Sequence, residues 1–404
     1  MKILAIAAIA LVLTILSVCH RQNDVVQWRG TNRDGIYHDK HLLKSWPSNG
    51  PMLIWRFDSL GIGYSSPVVT NNRIYTAGVI DSISYLFAFN LDGSINWKKK
   101  LSKDWMRTWP GIYCTPTICG DLGYITTGVG RLYCFNANNG EIIWYKNLLT
   151  KANVDSLRSG YLNNLIVDDN KVICIVGDKE RNCLAIDRFN GKELWVSKGN
   201  GERDLYCSPI LINHGGKKYF IYHTFKSLIS VDASNGEVAW VYKRDKGSVI
   251  YTPTYRNGNI LFPDYDKGSI MLKIADDGKS VSELWRNPNL QTHMGDAILL
   301  GDRVFGRGKK NMIYAVDWAT GNELYSFKAK SMVTTIVSAD EMLYCYDMDG
   351  DFYLLQPQKN QFEKKGNFKV LGGTKNHCSH PVIKNGRLYI RHDNSLFIYD
   401  IAKK

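Results

Sequence analysis

At five points along the chain a short apolar run gives way to a polar turn and then to an aromatic residue, always in the same order. The segments are AFNLDGSINW at 88–97, CFNANNGEIIW at 134–144, AIDRFNGKELW at 185–195, SVDASNGEVAW at 230–240 and AVDWATGNELY at 315–325. Each places three residues between a glycine and the final aromatic. The pattern predicts a β-hairpin in every copy. Asn90, Asn136, Asp187, Asp232 and Asp317 can fold their side chains onto nearby backbone amides to start the turn, and the glycine accepts a positive φ. Trp97, Trp144, Trp195, Trp240 and Tyr325 then fall just inside the second strand, where a large flat side chain is expected to wedge one unit against the next.

Weaker copies extend the series. Trp285 follows a longer turn around Gly278, Phe362 follows a degenerate one near Lys359-Asn360, and Trp55 in MLIWRF has no turn before it. The eight aromatics, from Trp55 to Phe362, recur at a mean spacing of about 44 residues, the length of a four-stranded propeller blade. The two ends are complementary. The last repeat, NGRLYIRHDNSLFIYDI, lacks its outer hairpin, and the strand of Trp55 lacks the strands that should precede it. The fold expected is therefore all-β: an eight-bladed β-propeller of four-stranded antiparallel blades, closed by the N-terminal strand completing the C-terminal blade. The Trp55 strand should pair with the one containing Leu396 to Tyr399, which removes the exposed edges of an open array.

The beginnings of the blades repeat as well, in Tyr64-Ser65-Ser66-Pro67, Tyr113-Cys114-Thr115-Pro116, Tyr206-Cys207-Ser208-Pro209, Tyr251-Thr252-Pro253 and His377-Cys378-Ser379-His380-Pro381, with Tyr161 and His293 in the same slot. The first strand of a blade lines the central channel, so Tyr64, Tyr113, Tyr161, Tyr206, Tyr251, His293 and His377 should recur around one mouth as a ligand or partner face. The same recurrence also fits side chains that pack at the start of each inner strand and hold its loop. Trp105, Arg107 and Trp109 form the best single candidate loop for contact, because aromatic and Arg residues dominate interface energetics. Basic residues are expected in loops on the same side: Lys98, Lys99, Lys100 and Lys103, then Lys243, Arg244 and Lys246, then Arg307, Lys309 and Lys310.

The N-terminus changes the reading of the charge. A net charge of +13 would suggest nucleic acid, yet Lys2 precedes an apolar run from Ile3 to Val18 that is short for a membrane span and suited to a signal peptide. Leu16-Ser17-Val18-Cys19 resembles a bacterial lipobox, which makes Cys19 the expected lipidation site. The organisation expected is a lipoprotein-type signal peptide at 1–18, a leader at 19–50 and one propeller at 51–404, exported to the periplasm or held at the outer membrane of a Gram-negative bacterium, with no nucleic-acid partner.

The nine cysteines do not form a staple framework. Cys134 occupies the slot held by Ala88, Ala185 and Ala315, so buried thiols are expected, and the one pair worth checking is Cys174 with Cys183 across a turn. No metal site is expected. His377 and His380 lack partners in sequence, and Asp347-Met348-Asp349-Gly350-Asp351 starts like a calcium loop without continuing as one, which reads as a polar hairpin turn. Gly128-Val129-Gly130 is likewise a turn, with no helix following to hold a phosphate.

The Asp-x-x-x-Gly-x-x-x-Trp spacing, the Tyr-Ser-Ser-Pro start and Trp28-Arg29-Gly30-Thr31-Asn32-Arg33-Asp34-Gly35 resemble exported bacterial proteins with quinoprotein-like propeller repeats. The resemblance spans nearly all of the mature chain and speaks for fold more than for activity. One branch, the quinoprotein alcohol and sugar dehydrogenases, would imply pyrroloquinoline quinone and calcium near the axis, with adjacent cysteines under the cofactor in many members and an Asp base. This sequence has no adjacent cysteines and no assignable base. The other branch, the propeller lipoproteins of the outer-membrane β-barrel assembly machinery, matches in size, blade number and leader. The function expected is a noncatalytic exported binding or scaffolding propeller without cofactor, a monomer within a complex, whose partner is an envelope protein or an anionic glycan. The alternatives are a dehydrogenase using pyrroloquinoline quinone and calcium, and a carbohydrate-binding propeller.

Overall fold

The computed structural model describes residues 25–203, 207–244, 252–264, 267–291, 297–373 and 376–403. Eight sheets follow one another around a ring. In blades 1 to 7 the four blade strands pair antiparallel in chain order from the axis outward. Blade 3 shows the plan with Ile166–Asp168, Lys171–Ile175, Cys183–Asp187 and Glu193–Ser197. Blade 8 is closed as expected: Met52–Phe57 pairs antiparallel with Ser395–Asp400, with Trp55 opposite Ile398.

A bulge recurs between the two outer strands of the blades. It sits beside the wedge residue, which faces a small side chain in five blades: Ala88 opposite Trp97, Cys134 opposite Trp144, Ala185 opposite Trp195, Ser230 opposite Trp240 and Ala315 opposite Tyr325. The aromatic is thereby aimed at the next blade. Indole N–H groups reach its outer hairpin, Trp97 to Ala137 O at 3.3 Å, Trp144 to Arg188 O at 3.1 Å, Trp195 to Ala233 O at 3.2 Å and Trp285 to Trp318 O at 3.1 Å. The turn glycine explains the spacing: at Gly236 (φ +79°) a Cβ would lie 2.5 Å from the Trp195 ring. Trp55 meets Gly93 in the same way across the closure, and Trp240 is buried in the cluster shared by blades 4 and 5.

Blade 7 departs from this series. The residue standing opposite its bulge is Gly366, not Phe362. Phe362 pairs with Pro357 and packs back onto Phe305, Tyr325 and Phe327 of blade 6. The vacated place is covered by Trp46, whose N–H donates to Lys365 O at 3.0 Å and whose ring lies against Tyr344, Phe352 and Phe368.

Residues 25–46, within the segment expected as a leader, pack into the ring. Val25–Val26 adds antiparallel to the inner strand of blade 2, and Ile36–Tyr37 adds parallel to that of blade 7. Both attach at the mouth formed by the turns between first and second strands, here called the turn mouth. The opposite mouth, where loops lead into the inner strands, is the loop mouth. A short helix, Lys151–Ser156, sits in a loop there, capped by the Thr150 side chain accepting from Asn153 N–H. The expectation of strands alone did not include it.

Candidate binding face at the loop mouth

Two loops are clamped together at blades 1 and 2. Gly63 and Ile112 form a parallel bridge, and the N–H groups of Tyr64 and Ser65 both donate to Ile112 O, at 2.8 and 3.2 Å. This close approach needs glycine: a Cβ on Gly111 (φ +117°) would lie 2.8 Å from the Gly63 Cα. The clamp stacks the half-buried rings of Tyr64 and Tyr113 with centroids 4.7 Å apart and an interplanar angle of 23°.

The loop from Asp104 to Tyr113 is held from beneath. The buried Asp104 carboxylate accepts from Ser84 Oγ at 2.5 Å and from Trp105 N–H at 2.7 Å, and burial nevertheless raises its pKa. Trp105 is only 3% exposed and its indole donates to Thr108 O at 2.9 Å, so it is the loop's floor. Arg107 lies over the Trp105 ring at 5.1 Å and pairs with Asp155 at 3.0 Å. Trp109 is 45% exposed, as is Met106 at 44%, and Trp109 adopts φ +56°. That conformation costs a bulky residue about 1–2 kcal/mol, and the Tyr113 hydroxyl, donating to Trp109 O at 3.0 Å, helps to hold it.

The remaining ring positions divide. Tyr161 is buried, its hydroxyl donating to Ile175 O at 2.7 Å. His377 is buried, stacked on His392 at 3.4 Å and bonded through Nδ1 to the Tyr346 hydroxyl, and burial pushes its pKa down to about 3. Both therefore hold structure, while Tyr64 and Tyr113 reach the surface. Tyr206, Tyr251 and His293 lie outside the described residues, as do Cys19 and Lys246.

Some of the basic residues stand in strands or are buried rather than in the expected loops, and some stand in a turn. Lys98, Lys99, Lys100 and Lys103 belong to the outer strand of blade 1, Ile95–Lys103, on the perimeter. Arg244 is buried and donates to Thr224 O and Phe225 O, at 3.0 and 3.3 Å. Lys243 ends an outer strand, Arg307 ends a second strand, and Lys309 and Lys310 are exposed in the turn that follows. All eight described cysteines are free thiols. Cys174 faces Leu184 and Cys183 faces Ile175, so their side chains lie on opposite faces of the sheet. The Asp347 carboxylate closes its own turn by accepting from Asp349 and Asp351 N–H groups at 3.1 and 2.9 Å. Among the described residues no group of three or more His, Cys, Asp or Glu side chains is placed to hold a metal ion.

Sequence reasoning did not place the contents of the channel. Trp28 is buried between two guanidinium groups, Arg29 and Arg33, each 5.6 Å from its ring. Its indole donates to His380 Nδ1 at 3.2 Å, Arg29 donates to Ala297 O of the loop entering blade 6 at 3.1 Å, and Arg33 donates to Leu165 O beside blade 3 at 2.6 Å. The signal was the Trp28–Gly35 motif, which fell outside the repeat and so had no predicted position. A cleft of about 510 Å³ lies beside this segment, between blades 6 and 7 at the turn mouth.

Among the described residues no helix is long and apolar enough to cross a membrane. Comparison with curated protein sequences finds no match. Among solved structures, BamB from Moraxella catarrhalis superposes with a TM-score of 0.63 at 16% identity, covering 86% of this chain and 97% of that one. A quinohemoprotein alcohol dehydrogenase from Comamonas testosteroni gives 0.66 at 12% identity over 92% of this chain and 79% of that one. The computationally designed Ika8 protein gives 0.64 at 11% identity, covering 87% and 100%. At these identities the likeness is one of fold, shared by an assembly factor, an enzyme and a design alike. Residues 84–324, more than half of the chain, match the family model described as outer membrane protein assembly factor BamB, and the chain belongs to that family.

Proposed function

We propose that this protein is a noncatalytic envelope propeller that binds or scaffolds partners during outer-membrane protein assembly. The observation that carries the reading is the family match across residues 84–324. The side chains support it. A quinone–calcium centre of the kind implied by the dehydrogenase resemblance does not fit those described: Cys114 and Cys119, the closest cysteines in sequence, are buried apart. Cys114 Sγ lies 3.3 Å from Asn163 O, and Cys119 Sγ accepts from Arg188 at 3.0 Å. The axis between blades 3, 6 and 8 is taken by Trp28, Arg29 and Arg33. No reaction step is therefore assigned to the chain. In this reading the first 18 residues are a signal peptide, Cys19 carries a lipid, and the propeller works tethered in the periplasm.

Deleting the gene tests the reading. The expected result is a reduced amount of folded outer-membrane β-barrels, restored by the wild-type protein, together with release of a Cys19→Ala variant from the membrane fraction. Unchanged barrel levels, or turnover of alcohols or sugars by the purified protein given pyrroloquinoline quinone and calcium, would overturn it.

A further inference from the structure

The exposed aromatic loop at blades 1 and 2 is built for contact rather than for connection. Two half-buried rings are stacked by a backbone clamp that only glycine permits. Beside them Trp109 is held out at positive φ, with its ring 6.4 Å from that of Tyr64. Met106 stands exposed on the same turn. Backbone outliers of this kind persist where the surroundings over-determine them, and they cluster at ligand clamps. A rigid platform loses little freedom on binding, which is the condition for an energetic hot spot.

The frame of this platform sets the chemistry of the occupant. Lys103 precedes the loop, and the Arg107–Asp155 pair joins it to the 151–158 segment, which carries the exposed Lys151 and Arg158. Against these stand Asp81, exposed in the neighbouring turn, Asp155, already paired with Arg107, and two buried carboxylates, Asp104 in the loop itself and Asp393 near Tyr64 and Arg391. Building on the scaffold reading, we infer that Tyr64, Tyr113, Trp109 and Met106 form a docking site for an extended acidic segment of a partner polypeptide, which lays an aromatic or long apolar side chain across them. Thioether and aromatic surfaces suit an apolar side chain, and the basic frame suits flanking carboxylates and speeds encounter. The hydroxyl-rich face of a neutral glycan would use neither Met106 nor the lysines.

The test uses the purified propeller with fluorescein-labelled synthetic peptides. One alternates Trp and Phe with Asp and Glu, a second carries Lys in place of the acidic residues, and a third carries Ala in place of the aromatics. The expected result is saturable binding of the first peptide alone, weakened at least tenfold by Trp109→Ala and falling as salt rises. Tyr145→Ala, which removes an aromatic 61% exposed on the outer strand of blade 2, should leave binding unchanged. Thermal unfolding of Trp109→Ala within a few degrees of wild type shows that the loss is local. No binding of the first peptide, equal binding of all three, insensitivity to Trp109→Ala, or capture of neutral oligosaccharide at these residues would overturn the inference. Each of those outcomes leaves the assembly reading standing, because that reading is decided by barrel levels in the deletion strain.

Discussion

The ring is held by two kinds of joint. In blades 1, 2, 3, 5 and 6 one device recurs, an outer-strand aromatic set on the turn of the following blade, with its polar atom bonded to a carbonyl there. At the seam Trp55 keeps the packing on a turn glycine, Gly93, and the other joints do not repeat. Trp46 from the N-terminal segment covers Gly366 in blade 7, and Leu43 N–H donates to Ile401 O at 2.8 Å. The fully buried Arg391 of blade 8 donates across the closure to Gly61 O at 3.1 Å, to Ser65 O at 3.4 Å and to Ala77 O. Connectivity explains the contrast. Successive blades are joined by a loop, whereas the seam brings residues 52–57 to 395–400, and closing so long a loop costs about 2 kcal/mol more entropy than closing one repeat. The seam therefore draws on residues that no other blade needs.

If this is right, the largest stability loss comes from Trp46→Ala, which empties a site enclosed by Tyr344, Phe352 and Phe368. Such a truncation costs about 3–5 kcal/mol, read as a lower urea midpoint. Arg391→Met follows at about 2–4 kcal/mol, because the carbonyls of Ser65 and Ala77 lose this donor while remaining buried. A neutral result would mean that desolvation of the guanidinium offsets its bonds and that apolar packing alone closes the ring. Trp195→Ala, in a half-buried repeat joint, should cost less, about 2 kcal/mol. Equal losses at Trp46 and Trp195 would erase the distinction between seam and repeat.

The same distinction governs what could be read from the sequence. The eight blades, the hairpin glycines and the pairing of Trp55 with the last strand were legible because periodicity compares each copy with its siblings. Trp46, Arg391 and the Trp28–Arg33 cluster occur once, so no sibling reports their burial. Phe362 shows the converse hazard: spacing placed it in the series although the register gives that place to Gly366. At the loop mouth, one slot holds both the buried Tyr161 and the surface pair Tyr64 and Tyr113. What separates them is the Gly63–Gly111 approach and the Trp109 backbone, which depend on tertiary contacts between loops.

Acid should act on the seam through His377 and His392, stacked at 3.4 Å beside Tyr346, Asp393, Arg391 and Lys369. Burial, with each ring near other cationic groups, lowers both pKa values, that of His377 to about 3. Below the unfolded value of about 6.5 the unfolded chain therefore binds more protons than the folded one, and stability falls as pH falls, with His377 carrying the wider window. The loss should build from pH 6 towards pH 3. Comparing His377→Gln with wild type isolates this share from other titrating groups, such as the buried His223 of blade 4. The variant should show the shallower pH dependence, and identical slopes would remove the seam from the acid response.

The smallest effect is expected at Arg107, and it bears on how the binding face is held. Arg107 and Asp155 are 57% and 53% exposed, so their attraction is screened by water and salt, and a pair of this kind contributes about 0.2–1 kcal/mol. Its stacking on Trp105 adds a similar amount at an exposed site, about 0.5–1 kcal/mol. The loop that presents Trp109 has stronger support from within, where Asp104 accepts from Ser84 and Trp105, and Gly111 N–H donates to Trp105 O at 3.0 Å. Arg107→Ala should accordingly shift the urea midpoint by no more than about 2 kcal/mol equivalent, and less in high salt. It should leave the Trp109 fluorescence environment unchanged, whereas Asp104→Asn should disturb it. A loss above about 2 kcal/mol for Arg107→Ala, beyond what an exposed pair supplies, would place the support of the aromatic platform in the neighbouring 151–158 segment. The face would then depend on the 151–158 segment as well as on the loop clamp and the blade beneath it.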